Sequence, residues 1–120
     1  MLTRSFSPAT GWLDAAGFET ETIVNTLTSG AQEYSRIEAL QDGGYVVSWQ
    51  SYHDGTGYTQ SMARIFDAAG VPAGPEFQIN VTDPNHQHDL QSAVLEDGNI
   101  VFTWTDNAAD LSSQGVFARI

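Results

Sequence analysis

The sequence contains no cysteine and no lysine, and these absences exclude several classes of site and partner. Without cysteine the chain can form neither disulfides nor thiolate metal sites. Only four residues are basic against 15 acidic ones, so the formal net charge is −11. Such a chain repels nucleic acid and anionic lipid, because it lacks the cations that replace phosphate counterions. We therefore expect no nucleic-acid partner and no membrane insertion.

Long apolar runs are missing as well. No stretch approaches the roughly 18 residues needed to span a bilayer, and residues 1–10 lack the apolar core of a secretory signal peptide. Hydrophobic residues still make up 41% of the 120 residues, which is enough for one domain with a core. The acidic, lysine-free and cysteine-free composition fits an exported protein, so we predict a secreted or cell-surface location in a bacterium.

Two copies of one repeat make up most of the chain. A shift of 55 positions places residues 21–65 on residues 76–120 without a gap, and eleven of the 45 aligned pairs are identical. Random pairing gives about three. The identical pairs include two of the three tryptophans and two of the four arginines: Trp49/Trp104 and Arg64/Arg119.

A third, partial copy stands at the front of the chain. Its string Leu13-Asp14-Ala15-Ala16-Gly17 echoes Phe66-Asp67-Ala68-Ala69-Gly70. We therefore divide the chain into an N-terminal segment with the end of a partial repeat (1–18), a first β-repeat (19–74) and a second β-repeat (75–120). A sequence period of this length is typical of propellers and repeat arrays.

Each repeat is predicted to form four short strands. An Asp-Gly turn after Leu40 or Leu95 predicts a hairpin, and the strand that follows is rich in β-branched and aromatic residues. The predicted fold class is all-β, with antiparallel four-stranded repeats arranged as β-propeller-like blades. A two-sheet β-sandwich is the alternative. Two blades cannot close a ring of roughly four to eight, so the propeller predicts self-association or a longer array.

Several strings of the repeat resemble a known family. The strings are residues 39–51 (ALQDGGYVVSWQS), 54–58 (DGTGY), 63–70 (ARIFDAAG) and 75–80 (PEFQIN). They are similar to repeats of large bacterial secreted adhesins and haemolysin-type calcium-binding proteins of the type I secretion class. The resemblance implies a blade-like module and a role for calcium. The second repeat lacks the Asp-Gly-x-Gly motif of residues 54–57.

The recurring tryptophans and arginines are the candidate ligand-binding residues. Trp49 and Trp104 can form an aromatic shelf for a sugar ring, although a tryptophan in every repeat more often packs one sheet on the next. Arg64 and Arg119 can clamp a sugar or a carboxylate. The structural alternative is an ion pair with a recurring acid, chosen from Asp42/Asp97 and Glu21/Glu76.

The loops between the third and fourth strands carry oxygen ligands that suit calcium. Their candidate metal ligands are Asp54, Asp106 and Asp110. We predict no required cofactor, with calcium as the one ion that these loops favour. His86 and His88 form a His-x-His pair that can hold zinc, although loop histidines in solvent are the simpler interpretation.

Catalytic motifs are missing: the chain has no nucleophile elbow, phosphate-cradling loop or metalloprotease helix motif. We predict that it is not an enzyme. Two functional hypotheses remain. The first is a binding or adhesion module, lectin-like, with a glycan ligand. The second is a purely structural, self-assembling repeat without a small ligand. Asp42 and Asp97 are predicted to be turn residues in either case.

Overall fold

The computed structural model describes residues 2–3, 21–81, 85–107 and 114–120. Over these residues every regular element is a β-strand and every strand pair is antiparallel, which confirms the all-β antiparallel class. The same residues include no helix of the length and apolarity that a membrane span requires. The strands are Leu2–Thr3 (β1), Thr22–Ile23 (β2), Gln32–Ala39 (β3), Tyr45–Ser51 (β4), Gln60–Phe66 (β5), Phe77–Gln78 (β6), Gln87–Val94 (β7), Ile100–Asp106 (β8) and Gly115–Arg119 (β9).

The strands form two meander sheets and one short pair. Sheet I has the order β3-β4-β5-β6, sheet II has the order β7-β8-β9, and β1 pairs with β2. Although β6 belongs to the second sequence repeat, it joins sheet I by pairing Met62 with Gln78 and Ala63 with Phe77. Sheet I therefore takes its fourth strand from the repeat that follows it.

The offset of the sequence repeat reappears in the backbone. The first residues of β3, β4 and β5 align with the first residues of β7, β8 and β9 at the same shift that aligns the two sequence copies. A bulge interrupts the pairing of both β3 and β7. Near these bulges the equivalent residues Tyr34 and Asp89 have left-handed φ values of 54° and 56°. The two sheets thus share one strand plan.

Both hairpin turns are built as the sequence predicts. In each repeat an aspartate accepts a hydrogen bond from the main-chain N–H two residues later. The bond runs from Gly44 to Asp42 at 2.9 Å and from Asn99 to Asp97 at 3.0 Å. The glycines between these residues have φ values of 87° and 85°, where a side chain would be strained. The predicted turn role of both aspartates is confirmed.

The core consists of two clusters, one on each face of sheet I. β4 alternates its side chains between them, with Val46 on one face and Val47 and Trp49 on the other. Because both faces of β4 are covered, six of its seven residues are buried, polar ones included. The cluster between the sheets contains Val46, Ala63, Ile79, Leu90, Phe102 and Trp104, and the outer cluster contains Val24, Val47, Trp49, Met62 and Phe66.

We predict that Trp49→Ala and Trp104→Ala each lower the free energy of unfolding by about 3–5 kcal/mol, the usual loss for a buried tryptophan. The two residues hold equivalent positions of the repeat and both are core residues, so their losses should be similar. Urea unfolding followed by circular dichroism measures the effect. An alanine variant that unfolds at the parental urea concentration would contradict the core role of that tryptophan.

Candidate functional site

The two tryptophans proposed from the sequence as ligand-binding residues lie in the interior. Trp49 is 1% exposed and Trp104 is 7% exposed. Nε1 of Trp49 donates a hydrogen bond to Oε1 of Gln32 at 3.0 Å, and Trp104 stacks on Phe117 with ring centroids 6.0 Å apart. This placement agrees with the packing interpretation. Stacking on a sugar needs an exposed ring face, so a ligand-binding role for these two residues stays a prediction that their burial does not support.

Arg64 and Arg119 bind main-chain carbonyls. Nη1 of Arg64 donates to the carbonyl oxygen of Val24 at 2.9 Å, and Nη1 of Arg119 donates to that of Ile79 at 2.9 Å. The two acceptors also occupy equivalent positions of the repeat, so each copy makes the same bond. Arg64 makes a second bond, from Nε to the carbonyl oxygen of Gly74 at 3.1 Å. A ligand-binding role for the two arginines stays a prediction.

The structural alternative of an acidic partner for these arginines is wrong for the residues that the structure describes. Asp42 and Asp97 hold their turns, and Glu76 accepts bonds from the main-chain N–H groups of Thr26 and Leu27 at 3.0 and 2.7 Å. The physical reason lies in the short strands. The carbonyls that the arginines bind follow two-residue strands directly, at the point where the ladder ends, so they still need a donor.

Asp54, the first candidate metal ligand, holds its own turn. Its Oδ1 accepts hydrogen bonds from the N–H and the hydroxyl of Thr56 at 3.0 and 2.8 Å, and its Oδ2 accepts one from Gln60 at 2.8 Å. Burial by itself would raise the pKa of Asp54, but the bonds from Thr56 and Gln60 outweigh it and hold the pKa below its usual value. Donor hydrogens thus face both oxygens, an arrangement that suits a turn better than a cation.

The other two candidate metal ligands do not complete a site. Asp106 is buried at the end of β8, where its Oδ2 accepts a hydrogen bond from Nε2 of Gln87 at 2.7 Å. Asp110 lies outside the residues that the structure describes. Within the described ranges, no three histidine, aspartate or glutamate side chains come together as a metal would require. Calcium binding therefore stays a prediction.

The two histidines of the His-x-His pair have separate surroundings. Nδ1 of His86 accepts a hydrogen bond from the N–H of Thr59 at 3.3 Å. His88 lies between Asp89, 2.8 Å from Nδ1, and Asn107, 3.0 Å from Nε2. The hydrogen bond with Asn107 and the contact with Asp89 together raise the pKa of His88 above its ordinary value, although burial acts in the opposite direction.

A cleft between the two sheets brings His88 together with residues that the sequence did not single out. Its volume is about 310 Å³, and it is lined by Tyr34, Arg36, Gln50, His88, Asp89 and Leu90. This size lies at the small end of the range for ligand sites. The ring of Tyr34 is 72% exposed although it is aromatic. Sequence signals for this site were weak, because the cleft depends on how two bulges meet across the sheets.

The cleft combines an aromatic surface with groups of opposite hydrogen-bonding type. Arg36 supplies donors, Asp89 supplies an exposed carboxylate, and Gln50 supplies both a donor and an acceptor. Tyr34 and Asp89 hold left-handed backbone conformations that cost residues other than glycine of order 1 kcal/mol or more. Such strain is often found at binding sites, so the positions of these two side chains identify the cleft as the candidate site.

We predict that Arg64→Ala lowers the free energy of unfolding by about 1.5–3 kcal/mol, the range for hydrogen bonds that involve a charged group. Arg119→Ala is the matched control. Arg119 is exposed and shares only the first of the two bonds, so its loss should be under about 1 kcal/mol. Because the acceptors are neutral carbonyls, urea unfolding should give the same loss at about pH 4 as at about pH 7. A loss that shrinks in acid would indicate a carboxylate partner instead.

We predict that His88 makes the fold more stable in mild acid. The folded-state pKa of His88 is raised, so its contribution is complete below the ordinary value of 6.5 and disappears as the pH rises through the elevated pKa. His88→Gln should remove this part of the pH dependence, whereas His53→Gln, a substitution in the loop after β4, should leave it in place. Thermal unfolding between about pH 5 and pH 8 tests this, and equal slopes for His88→Gln and the parent would contradict it.

Comparison with known proteins assigns neither a family nor a function to this chain. Neither the models of protein families, nor the curated proteins, nor the solved structures gave a significant match to the chain.

Proposed function

We propose that the chain is a non-catalytic repeat module that binds a polar ligand of the saccharide class in the cleft between its two sheets. The observation that carries this proposal is the exposed ring of Tyr34 beside Arg36, Gln50 and Asp89. A tyrosine ring offers an apolar surface to the C–H groups of a sugar. The neighbouring donors and acceptors suit its hydroxyl groups, which act in both roles.

The composition of the cleft supports binding over catalysis. None of its six lining residues is a serine, threonine or cysteine. His88, which can act as a general base, already interacts with Asp89 and Asn107 through its two ring nitrogens. A role in adhesion to glycans needs no covalent chemistry, and these groups supply what such binding requires.

For the architecture we propose propeller-like blades. Sheet I is a four-stranded antiparallel meander, as a blade is. Sheet II repeats its first three strands at the offset of the sequence repeat and packs against one of its faces. The alternative is a two-sheet sandwich, which two sheets in face-to-face contact also support. The acidic, lysine-free composition supports the further proposal of an exported bacterial protein.

A purely structural, self-assembling repeat is the second candidate function. It is favoured by large apolar side chains that are exposed beyond the two core clusters, among them Ile23 and Val116. Exposed apolar residues at repeat ends are typical of modules whose partner is another repeat. The two functions are compatible, because the cleft lies between the two sheets and these residues lie away from it.

We predict that a glycan array probed with the purified chain gives binding, and that Tyr34→Asn weakens the affinity for the glycan by about tenfold or more, which corresponds to about 1.4 kcal/mol. Asparagine tolerates the left-handed φ of residue 34 better than tyrosine does, so the variant should melt no lower than the parent.

The matched control is Ile37→Asn, which removes another exposed apolar side chain from β3 outside the cleft. This variant should keep the parental affinity. A silent array, or equal affinity of the Tyr34→Asn variant and the parent in calorimetry, would remove the cleft from consideration as a glycan site.

A further inference from the structure

The outward face of sheet II exposes the positions that sheet I buries. In sheet I, Ser61 and Ala63 are fully buried. Their counterparts in the second copy are Val116, which is 81% exposed, and Ala118, which is also exposed. The exchange of serine for valine at the first position makes the exposed copy more apolar than the buried one. The comparison of the two copies therefore indicates that another surface can pack on this face of sheet II, as sheet II packs on the equivalent face of sheet I.

The outer edge of sheet II differs from that of sheet I. In sheet I, β6 pairs with the outer edge of β5. In sheet II no strand of the described ranges pairs with the outer edge of β9. A strand next to such an edge gains main-chain hydrogen bonds. Within the described ranges, β9 therefore has no neighbour in the position that β6 takes beside β5.

The strand β6 has a counterpart in the first repeat. Thr22–Ile23 aligns with Phe77–Gln78 at the offset of the repeat, so β2 is the repeat equivalent of β6. β2 pairs with β1 through two residue pairs, Leu2 with Ile23 and Thr3 with Thr22. A two-stranded ladder of this length is marginal in water. Ile23 remains 60% exposed there, although its neighbour Val24 is fully buried.

An apolar groove adjoins the open edge. It has a volume of about 330 Å³ and is lined by Phe77, Gln78, Ile79, Phe102, Arg119 and Ile120. The counterparts of three of these residues in the first repeat, Val24, Val47 and Arg64, surround the buried ring of Phe66. In the first repeat an aromatic side chain therefore fills the space that is a groove in the second.

We propose that the chain assembles head to tail, the back end of one molecule binding the front end of a second copy. The back end is the outer edge of β9 with Val116, Ala118 and Ile120, and the front end is Leu2, Thr22 and Ile23. In the junction, Thr22–Ile23 of the second copy adds to β9 as Phe77–Gln78 adds to β5. Ile23 then lies opposite Phe117, and Thr22 lies opposite Ala118.

The junction has a definite symmetry and a definite dependence on salt. It joins two different surfaces, so each bound copy still offers one free front end and one free back end, and growth continues until a ring closes. Each chain carries a formal charge of −11, so the copies repel one another at low ionic strength. In about 0.15 M salt the screening length is about 8 Å, which weakens this repulsion between distant charges. Assembly should therefore increase with salt as well as with concentration.

Two blocked variants test the junction. Ile23→Asp places a charge at the front end, and Val116→Asp places one at the back end. Both positions are exposed in the single chain, so both variants should fold, and thermal unfolding followed by circular dichroism verifies this. Ile37→Asp is the control, because it adds the same charge at an exposed position that belongs to neither end.

Sedimentation velocity at increasing micromolar concentration gives the outcome. The parent and the Ile37→Asp variant should form species larger than a monomer, and each blocked variant alone should stay monomeric. An equimolar mixture of the two blocked variants should give a 1:1 dimer, because it contains one intact front end and one intact back end that can meet. A monomeric parent, a blocked variant that associates as the parent does, or a mixture that stays monomeric would each overturn the proposal.

Discussion

The contact between the two sheets depends on a match of small residues with large ones. Sheet I contributes Ala63 and Val46 to the interface, and the rings of Phe102 and Trp104 from sheet II pack against them. Small side chains on one surface let large ones on the other approach closely, which gives a dense core without strain. The strand that contributes Val46 turns Trp49 to its opposite face, so sheet I has one small face and one large face.

Around this contact, main-chain groups at the strand ends are satisfied by side chains from the neighbouring part of the repeat. Arg64 reaches the carbonyl of Val24, and Arg119 reaches that of Ile79 over the same sequence separation. Asn80 gives the sheet a related bond, since its Oδ1 accepts the N–H of Ser61 at 2.9 Å. These bonds fix the segments before β3 and β7 in place. The short strands β2 and β6 can therefore be held with few main-chain hydrogen bonds to a neighbouring strand. The bond of Arg119 also connects sheet II to the segment that follows β6 of sheet I.

The parts of the fold that depend on local sequence could be predicted from it. The Asp-Gly turns were predicted correctly because an aspartate and the glycine that follows it suffice to form them. The partners of Arg64 and Arg119 could not be predicted, since their acceptors are carbonyls, which every residue carries and no sequence pattern marks. The pairing of β6, a strand of the second repeat, with sheet I could not be predicted either. Strand order is decided by packing rather than by sequence adjacency.

The cleft could not be predicted from the residues that the two repeats share, because it lies where the repeats differ. Trp49/Trp104, Arg64/Arg119 and the turn aspartates are identical between the copies, and each of these residues has a structural contact in both.

The residues of the cleft, by contrast, differ between the two copies. Tyr34 aligns with Asp89, Arg36 with Gln91, and Gln50 with Thr105, so no pair is identical. Each copy holds the same left-handed conformation at the first of these positions, but the copies place different side chains on it. A shared backbone with unlike side chains produces one asymmetric surface where two like sheets meet. In this chain the residues that are identical between the copies make structural contacts, whereas the residues that differ line the cleft that we propose as the ligand site.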